Sequence, residues 1–439
     1  MKSPEALVNV VTTDLGAITR GRPVVESRLE KIAQTGVGWV PANLSITPFN
    51  SIADPNPWGS TGDLRLIPDL AARFRTASSG AATPFDMVAA DIVELDGTPW
   101  IGCSRTLLKD ALADLKAEAG LVTKVAVEQE FRIFDAGFGA AHAFSIGAMR
   151  RADPFCPTLL AALEEAGVEP EMILAEYGSE QFEITHAPTD ALAAADRAVA
   201  IREITRDTAR VKGWRASFAP KTALTEVGNG VHIHFSFVDT DGRPATYDPA
   251  GAGSLSRQAG AFCAGVLNHL PAMTVLTASS VPSYYRLKPH NWSSSYTWLA
   301  DRDREASLRI CPTVTIGGRD RAPQYNIEFR VADATANPYL SLAALVRAGL
   351  DGLRRSLKAP PLVTGDPTLM GDEERKALGL VRLPQSLPEA LDAFLADKTV
   401  TGWFHPLLVE TFDGVKRHEI ARLAPLEDSA VCDLYGTLF

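Results

Sequence analysis

The stretch Val127-Glu128-Gln129-Glu130-Phe131 alternates apolar residues with polar ones. Successive side chains of a β-strand point to opposite faces, so the pattern predicts a strand with Glu128 and Glu130 on one face. Two later stretches also place polar residues among apolar ones: Glu176-Tyr-Gly-Ser-Glu-Gln181-Phe182-Glu183 and Gly230-Val231-His232-Ile233-His234-Phe235-Ser236. Unpaired buried carboxylates are costly, so the three stretches together predict a divalent-metal site on a sheet.

Each motif has an ordinary explanation when it is considered alone. A Glu-x-Glu pair is often a solvated strand face, and a His-x-His pair is often two core histidines with satisfied hydrogen bonds. The apolar neighbours argue against solvated faces here. Oxygen-rich ligands and the lack of a Cys-x-x-Cys motif favour Mg²⁺ or Mn²⁺ over zinc.

Composition excludes several classes of protein. The chain has 439 residues, 46% of them hydrophobic, and a net charge of −10. This length predicts two or three domains, and the acidic balance argues against nucleic acid as a partner. Five scattered cysteines are typical of free thiols in a reducing compartment, which predicts a cytoplasmic protein. We expect no signal peptide, because the N-terminus lacks an apolar stretch followed by a small-residue cleavage site. We expect no membrane partner, because Pro271 and its polar neighbours interrupt the most apolar stretch.

The order of predicted elements indicates an α+β fold with two domains. Short strand-like pieces such as Gly38–Ala42 predict a small sheet domain over residues 1–103. Ser104 has the form of a helix N-cap before a predicted helix at Thr106–Ala119, so the second domain is expected over residues 104–439. Its strands are grouped as antiparallel neighbours rather than as regular βαβ units. The apolar stretch ending near Val281 predicts a buried helix followed by a turn.

Four arginines in the C-terminal half accompany the acidic stretches: Arg286, Arg304, Arg309 and Arg330. Surface ion pairing is the ordinary explanation for such residues. It fits Arg330 poorly, because Glu328 and Arg330 share one face of an apolar strand. Guanidinium groups suit phosphate oxygens, so arginines beside an acidic metal site indicate phosphoryl transfer from ATP. No P-loop or dinucleotide fingerprint occurs, so metals and arginines over a sheet would hold the nucleotide.

At these residues the chain resembles the glutamine synthetase family. The resemblance extends over nearly the whole chain and is carried mainly by the runs Glu128–Phe131, Glu176–Glu183, Gly228–Ser236, Arg304–Arg309 and Ile327–Leu340. It implies a β-grasp-like N-terminal domain and a catalytic domain with a curved antiparallel sheet. It also implies a homo-oligomer, a decamer or dodecamer, with active sites between subunits.

The resemblance implies a role for each matching residue. One metal ion is expected at Glu130, Glu176 and Glu183, and a second at Glu128, His232 and Glu328. Gly228 and Arg286 would bind glutamate. The ATP phosphates are assigned to Arg304 and Arg309, with His234 and Ser236 near the nucleotide. Arg330 would stabilise the transferring phosphoryl group, so the catalytic candidates are Arg330, Arg304 and Glu176.

The chain departs from the ammonia-using members at two positions. Those members carry an Asp on an N-terminal loop and a Glu after an Arg-Leu-x-Pro run, and both bind ammonium. This chain has Ala42 or Asn43 at the first position and Trp292 at the second. Loss of two carboxylates and gain of an indole predict a glutamate ligase for a larger amine: an alkylamine, a polyamine or an arylamine.

Other interpretations remain open at this stage. An ammonia-using synthetase would need acids from elsewhere, such as Asp54 or Asp63. A non-catalytic, ring-forming structural or regulatory relative is the third interpretation, and the complete set of ligands and arginines argues against it. Val227 also leaves open an analogue of glutamate as the acid substrate.

Overall fold

The computed structural model describes residues 5–439. Its first sheet contains β1 (Leu7–Thr13), β2 (Thr19–Val25), β3 (Val37–Trp39), β4 (Leu64–Thr76) and β5 (Phe85–Val93), with helix α1 (Leu29–Thr35) between β2 and β3. The strand order is β2-β1-β5-β4-β3, and β1 pairs with β5 in parallel. The predicted small N-terminal sheet domain is confirmed.

The second sheet has eight strands. They are β6 (Leu121–Phe134), β7 (Pro170–Ala175), β8 (Gln181–His186), β9 (Arg215–Ser217), β10 (Val231–Asp239), β11 (Leu299–Asp301), β12 (Leu308–Ile310) and β13 (Ile327–Phe329). The order is β11-β12-β13-β10-β6-β8-β7, with β9 paired to β6. Only the edge pair β11–β12 is parallel. The prediction of an α+β fold with an antiparallel catalytic sheet is confirmed.

Helices precede, separate and follow these strands along the chain. They are α2 (Ser104–Ala119), α3 (Ile146–Arg150), α4 (Phe155–Glu165), α5 (Ala191–Val211), α6 (Arg257–Thr277), α7 (Ser283–Arg286), α8 (Pro338–Arg354), α9 (Asp372–Ala377), α10 (Leu387–Ala396), α11 (Lys398–Thr401), α12 (Pro406–Leu423) and α13 (Asp428–Leu438). The amide of Gln129 in β6 donates to the Ala198 carbonyl of α5. Since side chains alternate along a strand, Glu128 and Glu130 point away from α5.

Helix α6 differs from its prediction. It continues through Pro271 to Thr277, where the sequence indicated a turn. Among the described residues α6 alone is long and apolar enough to cross a membrane, yet 78% of its most apolar window is buried. A Cβ at Gly265 would lie 2.2 Å from the Ala348 carbonyl oxygen, so α6 packs directly on the backbone of α8. This packing holds α6 together across the proline.

Two shorter predictions are corrected as well. Ser104 is the first residue of α2 rather than its cap, and its hydroxyl accepts from the Asn337 amide instead. Strand β3 ends at Trp39 because Pro41 begins a 3₁₀ turn over Pro41–Ser45. Proline fixes φ and lacks the N–H that a strand pairing would use.

Arg105, in α2, joins the first sheet to helix α5 near the proposed domain boundary at 103/104. Its buried guanidinium bonds to Asp196 of α5 at 2.9 Å, to Asp91 of β5 at 3.0 Å and to Asp69 of β4 at 2.7 Å. The side chains of Arg105 and Asp196 are both 4% exposed. One cation therefore pairs with acids of the first sheet and with an acid of α5, the helix that contacts β6 of the second sheet.

Replacing Arg105 with Ala should reduce the free energy of unfolding by about 3–5 kcal/mol, because it leaves the buried Asp196 carboxylate without its cationic partner. Arg354→Ala is the matched control, since Arg354 pairs with Glu118 at the surface and should contribute about 0–1 kcal/mol. Urea unfolding of both variants measures the difference. Equal effects would contradict the assigned role of Arg105.

Candidate active site

The register of the central strands gathers the predicted acidic residues on one face of the second sheet. His232 of β10 lies opposite Glu128 of β6, and Glu183 of β8 lies opposite Glu130. Glu328 of β13 lies opposite His234. Side chains directly opposite each other in an antiparallel pair share a face, so these strands form one continuous polar surface.

Glu128 is at the centre of this surface. His232 Nδ1 lies 2.8 Å from Glu128 Oε1, and His234 Nε2 lies 3.2 Å from Glu128 Oε2. Although burial would raise the pKa of Glu128, hydrogen bonds with these histidines hold it below its ordinary value. Two sets of side chains have ligand atoms close enough to share a metal ion: Glu128, Glu183 and His232, and Glu128, His234 and Glu328.

These two sets differ from the pairing that the resemblance implies. Glu128 belongs to both, and His234, expected near the nucleotide, joins the second. The assignment of each residue to a particular ion therefore remains a prediction. The structure does bring the acidic residues of β6, β8 and β13 to one place.

Glu183 and Glu176 are two carboxyls of the site whose pKa is raised. Burial and the neighbouring carboxylates of Glu128 and Glu130 raise the pKa of Glu183 to about 10. Burial, followed by the charge of Glu130, raises the pKa of Glu176. A carboxyl that keeps its proton here would lose it on binding a cation. Oxygen-rich donors with two imidazoles suit Mg²⁺ or Mn²⁺, so the residues fit the predicted metals.

Glu130 is fixed by neighbours on β8 and on the approach to β10. It accepts from the Gly230 N–H at 3.0 Å and from the Gln181 amide at 3.1 Å. The same Gln181 amide donates to the Gly228 carbonyl and to Asn229 Oδ1, each at 2.9 Å. Gln181 therefore holds the loop of the predicted glutamate-binding residue Gly228 against the metal site.

Arg286 lies directly against Gly228. A Cβ at position 228 would lie 2.7 Å from Arg286 Cγ, so only glycine fits without movement. The buried Arg286 guanidinium donates to the carbonyls of Val331 and Ala332, and its Nε has no partner among the described residues. The two residues predicted to bind glutamate are thus neighbours.

Glu328 is held between two of the predicted arginines. Arg309 donates to it at 2.7 Å, and Arg330 donates to its other oxygen. Burial would raise the pKa of Glu328, but His232 and Arg330 lower it. Arg304 is different: its side chain is exposed and has no ion-pair partner in residues 5–439. Arg304 is thus accessible to a ligand, whereas Arg309 and Arg330 are already part of the site.

Trp292 lies beside Arg330 on an exposed turn. Its side chain is 70% exposed, and its backbone is left-handed with φ 53°. Arg330 donates to its carbonyl at 3.1 Å. The residue predicted to replace the ammonium-binding Glu is therefore connected to the predicted phosphoryl-binding arginine.

The remaining predicted residues are Ser236 in β10 and Ala42 and Asn43 in the N-terminal domain. Ser236 follows His234 on the same face of β10. Ala42 and Asn43 lie half-buried in the 3₁₀ turn of the N-terminal domain. No hydrogen bond or ion pair of the described chain joins them to Trp292.

Two other tryptophans have packing roles. Trp58 packs against Trp100 at a tilt of 53° and donates to Thr411 Oγ1, and Trp298 is buried in a small apolar cluster. Packing is the ordinary role of a single Trp, and lining of the amine pocket is the alternative for both residues. The packing interpretation agrees with these contacts.

Sequence reasoning assigned no role to Asn229, Asn326 or Glu305. Asn326 Oδ1 lies 3.0 Å from His234 Nδ1, and Asn326 precedes Glu328 by two residues. The spacing of two residues from Asn326 to Glu328 to Arg330 indicated that Asn326 shares their face of the strand. Nothing comparable marked Glu305, whose contacts are made across a turn.

Comparisons with known proteins agree with this geometry. The glutamine synthetase N-terminal domain family matches residues 2–100, and the glutamine synthetase catalytic domain family matches residues 101–428. Gamma-glutamylpolyamine synthetase GlnA3 of Streptomyces coelicolor is 35% identical over 96% of this chain and 91% of its own. Glutamine synthetase of Methanocaldococcus jannaschii is 30% identical over 89% of this chain and 85% of its own.

Two solved structures are also similar. A structure described as a novel glutamine synthase homolog has a TM-score of 0.91 at 43% identity, covering 100% of both chains. A GmaS/ADP complex has a TM-score of 0.80 at 26% identity, covering 97% of this chain and 95% of its own. The likeness extends over both domains.

Adding Mn²⁺ or Mg²⁺ to metal-stripped protein should raise its melting temperature, because a divalent cation neutralises the clustered carboxylates. A hundredfold excess over Kd corresponds to about 2.7 kcal/mol of stabilisation. Glu183→Gln should reduce this shift, and apparent affinity should rise with pH as the proton on Glu183 becomes easier to displace. Differential scanning fluorimetry measures both effects.

Glu171→Gln is the control for this experiment, because Glu171 lies exposed on β7. It should leave the metal-induced shift unchanged. Equal shifts in wild type and Glu183→Gln would show that Glu183 does not contact the ion.

Proposed function

The chain belongs to the glutamine synthetase family of ATP-dependent carbon–nitrogen ligases, and we propose that it joins glutamate to an organic amine. The amine would be an alkylamine, a polyamine or an arylamine. The observation that carries the proposal is the exposed indole of Trp292 beside Arg330, at the position where ammonia-using members carry a Glu. The similarity to a gamma-glutamylpolyamine synthetase supports it.

The proposed reaction has two steps. A carboxylate is a poor electrophile, so its γ-oxygen first takes the terminal phosphoryl group of ATP, forming γ-glutamyl phosphate and ADP. The amine then forms a bond to the carbonyl carbon, phosphate leaves, and the amine nitrogen loses a proton. Bound Mg²⁺ or Mn²⁺ would neutralise phosphate charge during the first step.

Each arginine would bind a different part of the ATP phosphates. Arg309 and Arg330 are held by Glu328, so each presents its remaining N–H groups in a fixed orientation. We assign the transferring phosphoryl group to Arg330, and the other ATP phosphates to Arg309 and the accessible Arg304. His234 and Ser236 would lie near the nucleotide. The ADP named for the similar GmaS structure supports a nucleotide site of this type.

The acid substrate would lie between Gly228 and the metal site. The Gly228 backbone and the Arg286 guanidinium are adjacent, and Gln181 connects Gly228 to Glu130. Glutamate therefore would have its γ-carboxyl near Glu130, Glu176 and Glu183. An analogue of glutamate would occupy the same position.

We define the amine pocket as Trp292 together with Ala42 and Asn43 of a neighbouring subunit. Glutamine synthetase family members are typically oligomeric, and a decamer or dodecamer would bring the N-terminal turn of one subunit to the site of the next. All five cysteines are free thiols, which supports the proposed cytoplasmic location.

Phosphate release should be at least about tenfold more efficient with one organic amine than with ammonium, which corresponds to about 1.4 kcal/mol in the transition state. The assay contains ATP, glutamate, Mg²⁺ or Mn²⁺, and ammonium, methylamine, isopropylamine, ethanolamine, putrescine or aniline. Trp292→Glu should reverse the preference toward ammonium. Trp292→Phe, which keeps an aromatic face, should preserve the preference.

Each other outcome has a definite meaning. Equal or better use of ammonium would identify ordinary glutamine synthesis. Silence with every amine, in protein that still binds metal, would contradict glutamate as the acid or the proposed activity itself.

A further inference from the structure

Glu305, in the turn between β11 and β12, holds the exposed turn that carries Trp292. Its Oε2 accepts from the His290 N–H at 3.1 Å, and its Oε1 accepts from the Trp292 N–H at 3.2 Å. We propose that Glu305 is the positioning residue that fixes the Trp292 indole and thereby sets which amines are accepted. The proposal rests on the proposed function, which places Trp292 in the amine pocket.

The backbone of this turn needs such support. His290 has φ 63° and Trp292 has φ 53°, and side chains other than glycine rarely adopt this left-handed conformation. A single carboxylate compensates by satisfying both N–H groups, one with each oxygen. A glutamine at 305 has only one acceptor oxygen and would direct its NH₂ group at the second N–H.

Glu305 is itself anchored to the interior. The indole N–H of buried Trp298 donates to the Glu305 carbonyl at 3.1 Å, and the Glu305 N–H donates to Asp303 Oδ1 at 2.9 Å. Trp298 is only 2% exposed and belongs to an apolar cluster. The carboxylate therefore extends from a fixed backbone to the turn.

The turn is also connected to the reaction centre. Arg330 donates to the Trp292 carbonyl at 3.1 Å and to the Arg304 carbonyl at 2.8 Å, and its third contact is Glu328. The Ser293 hydroxyl donates to the Arg286 carbonyl. Glu305 and Arg330 thus hold the backbone of Trp292 from opposite sides, through its N–H and its C=O.

This arrangement predicts an effect that grows with the size of the amine. Ammonium is too small to cover the indole, whereas a diamine can place carbon atoms or a second ammonium group over its face. Releasing the turn would disturb recognition of the larger amine most. A purely structural role would reduce activity equally with every amine.

The test compares Glu305→Gln with wild type, using ammonium, ethanolamine and putrescine as amines. The KM for putrescine should rise about tenfold, the size expected for losing a hydrogen bond to a charged group, and ethanolamine should show a smaller rise. The kcat/KM for ammonium and the KM values for ATP and glutamate should stay within about twofold. Hydrogen exchange of the amides of His290 and Trp292 should become faster.

Asp301→Asn is the matched control, because it removes one carboxylate nearby, on β11, where Asp301 pairs within residues 5–439 only with exposed Arg302. It should leave the amine KM values and the exchange rates unchanged. A loss equal for all three amines, or unchanged exchange at His290 and Trp292, would overturn the role of Glu305. Melting temperatures identify a variant that fails to fold, and Glu305→Asp then provides a milder change.

The two proposals fail separately. If Trp292→Ala leaves the preference among amines unchanged, Trp292 is not in the amine pocket and the proposed function loses its support. If Trp292→Ala changes the preference but Glu305→Gln does not, only the positioning role is wrong. If no amine is used, hydrogen exchange still shows whether Glu305 holds the turn.

Discussion

Crowding of negative charge on one face of the catalytic sheet is the constraint on which the rest of the site depends. Antiparallel register places Glu128, Glu130, Glu183 and Glu328 together, and burial beside the other carboxylates raises the pKa of Glu183. The neighbouring cationic groups stabilise the charge of some of these carboxylates but not of all. Histidines and arginines hold Glu128 and Glu328 ionised, whereas Glu183 keeps a raised pKa. A metal cation bound beside Glu183 would therefore be stabilised most strongly.

Main-chain atoms carry much of the organisation around this charge. Gln181 reaches the Gly228 carbonyl, Arg286 reaches the carbonyls of Val331 and Ala332, and Arg330 reaches those of Arg304 and Trp292. Such bonds connect loops to the sheet without using further charged side chains. A ligand that binds Arg330 would consequently affect both Glu328 and the turn at Trp292.

The sequence predicted the fold class and the acidic surface because both follow from local patterns. Alternation along β6 and along β10 places the polar residues of each strand on one face of that strand. Packing between distant segments is not visible in local patterns. The predictions of a turn at Pro271 and of an N-cap at Ser104 were wrong for this reason. Glu305 escaped notice for the same reason, since its partners come from another turn. The site roles implied by family resemblance, including the pairing of ligands with ions, remain predictions.

The turn at Trp292 is held through its N–H and its carbonyl, and neither bond involves the indole. The conformation of the turn therefore does not depend on contacts of the Trp292 side chain through these two bonds. Substitution at this position changes the chemistry that faces the solvent while both backbone bonds persist. Under the proposed function, a change at position 292 alone would therefore alter the choice of amine without a compensating mutation elsewhere in the turn.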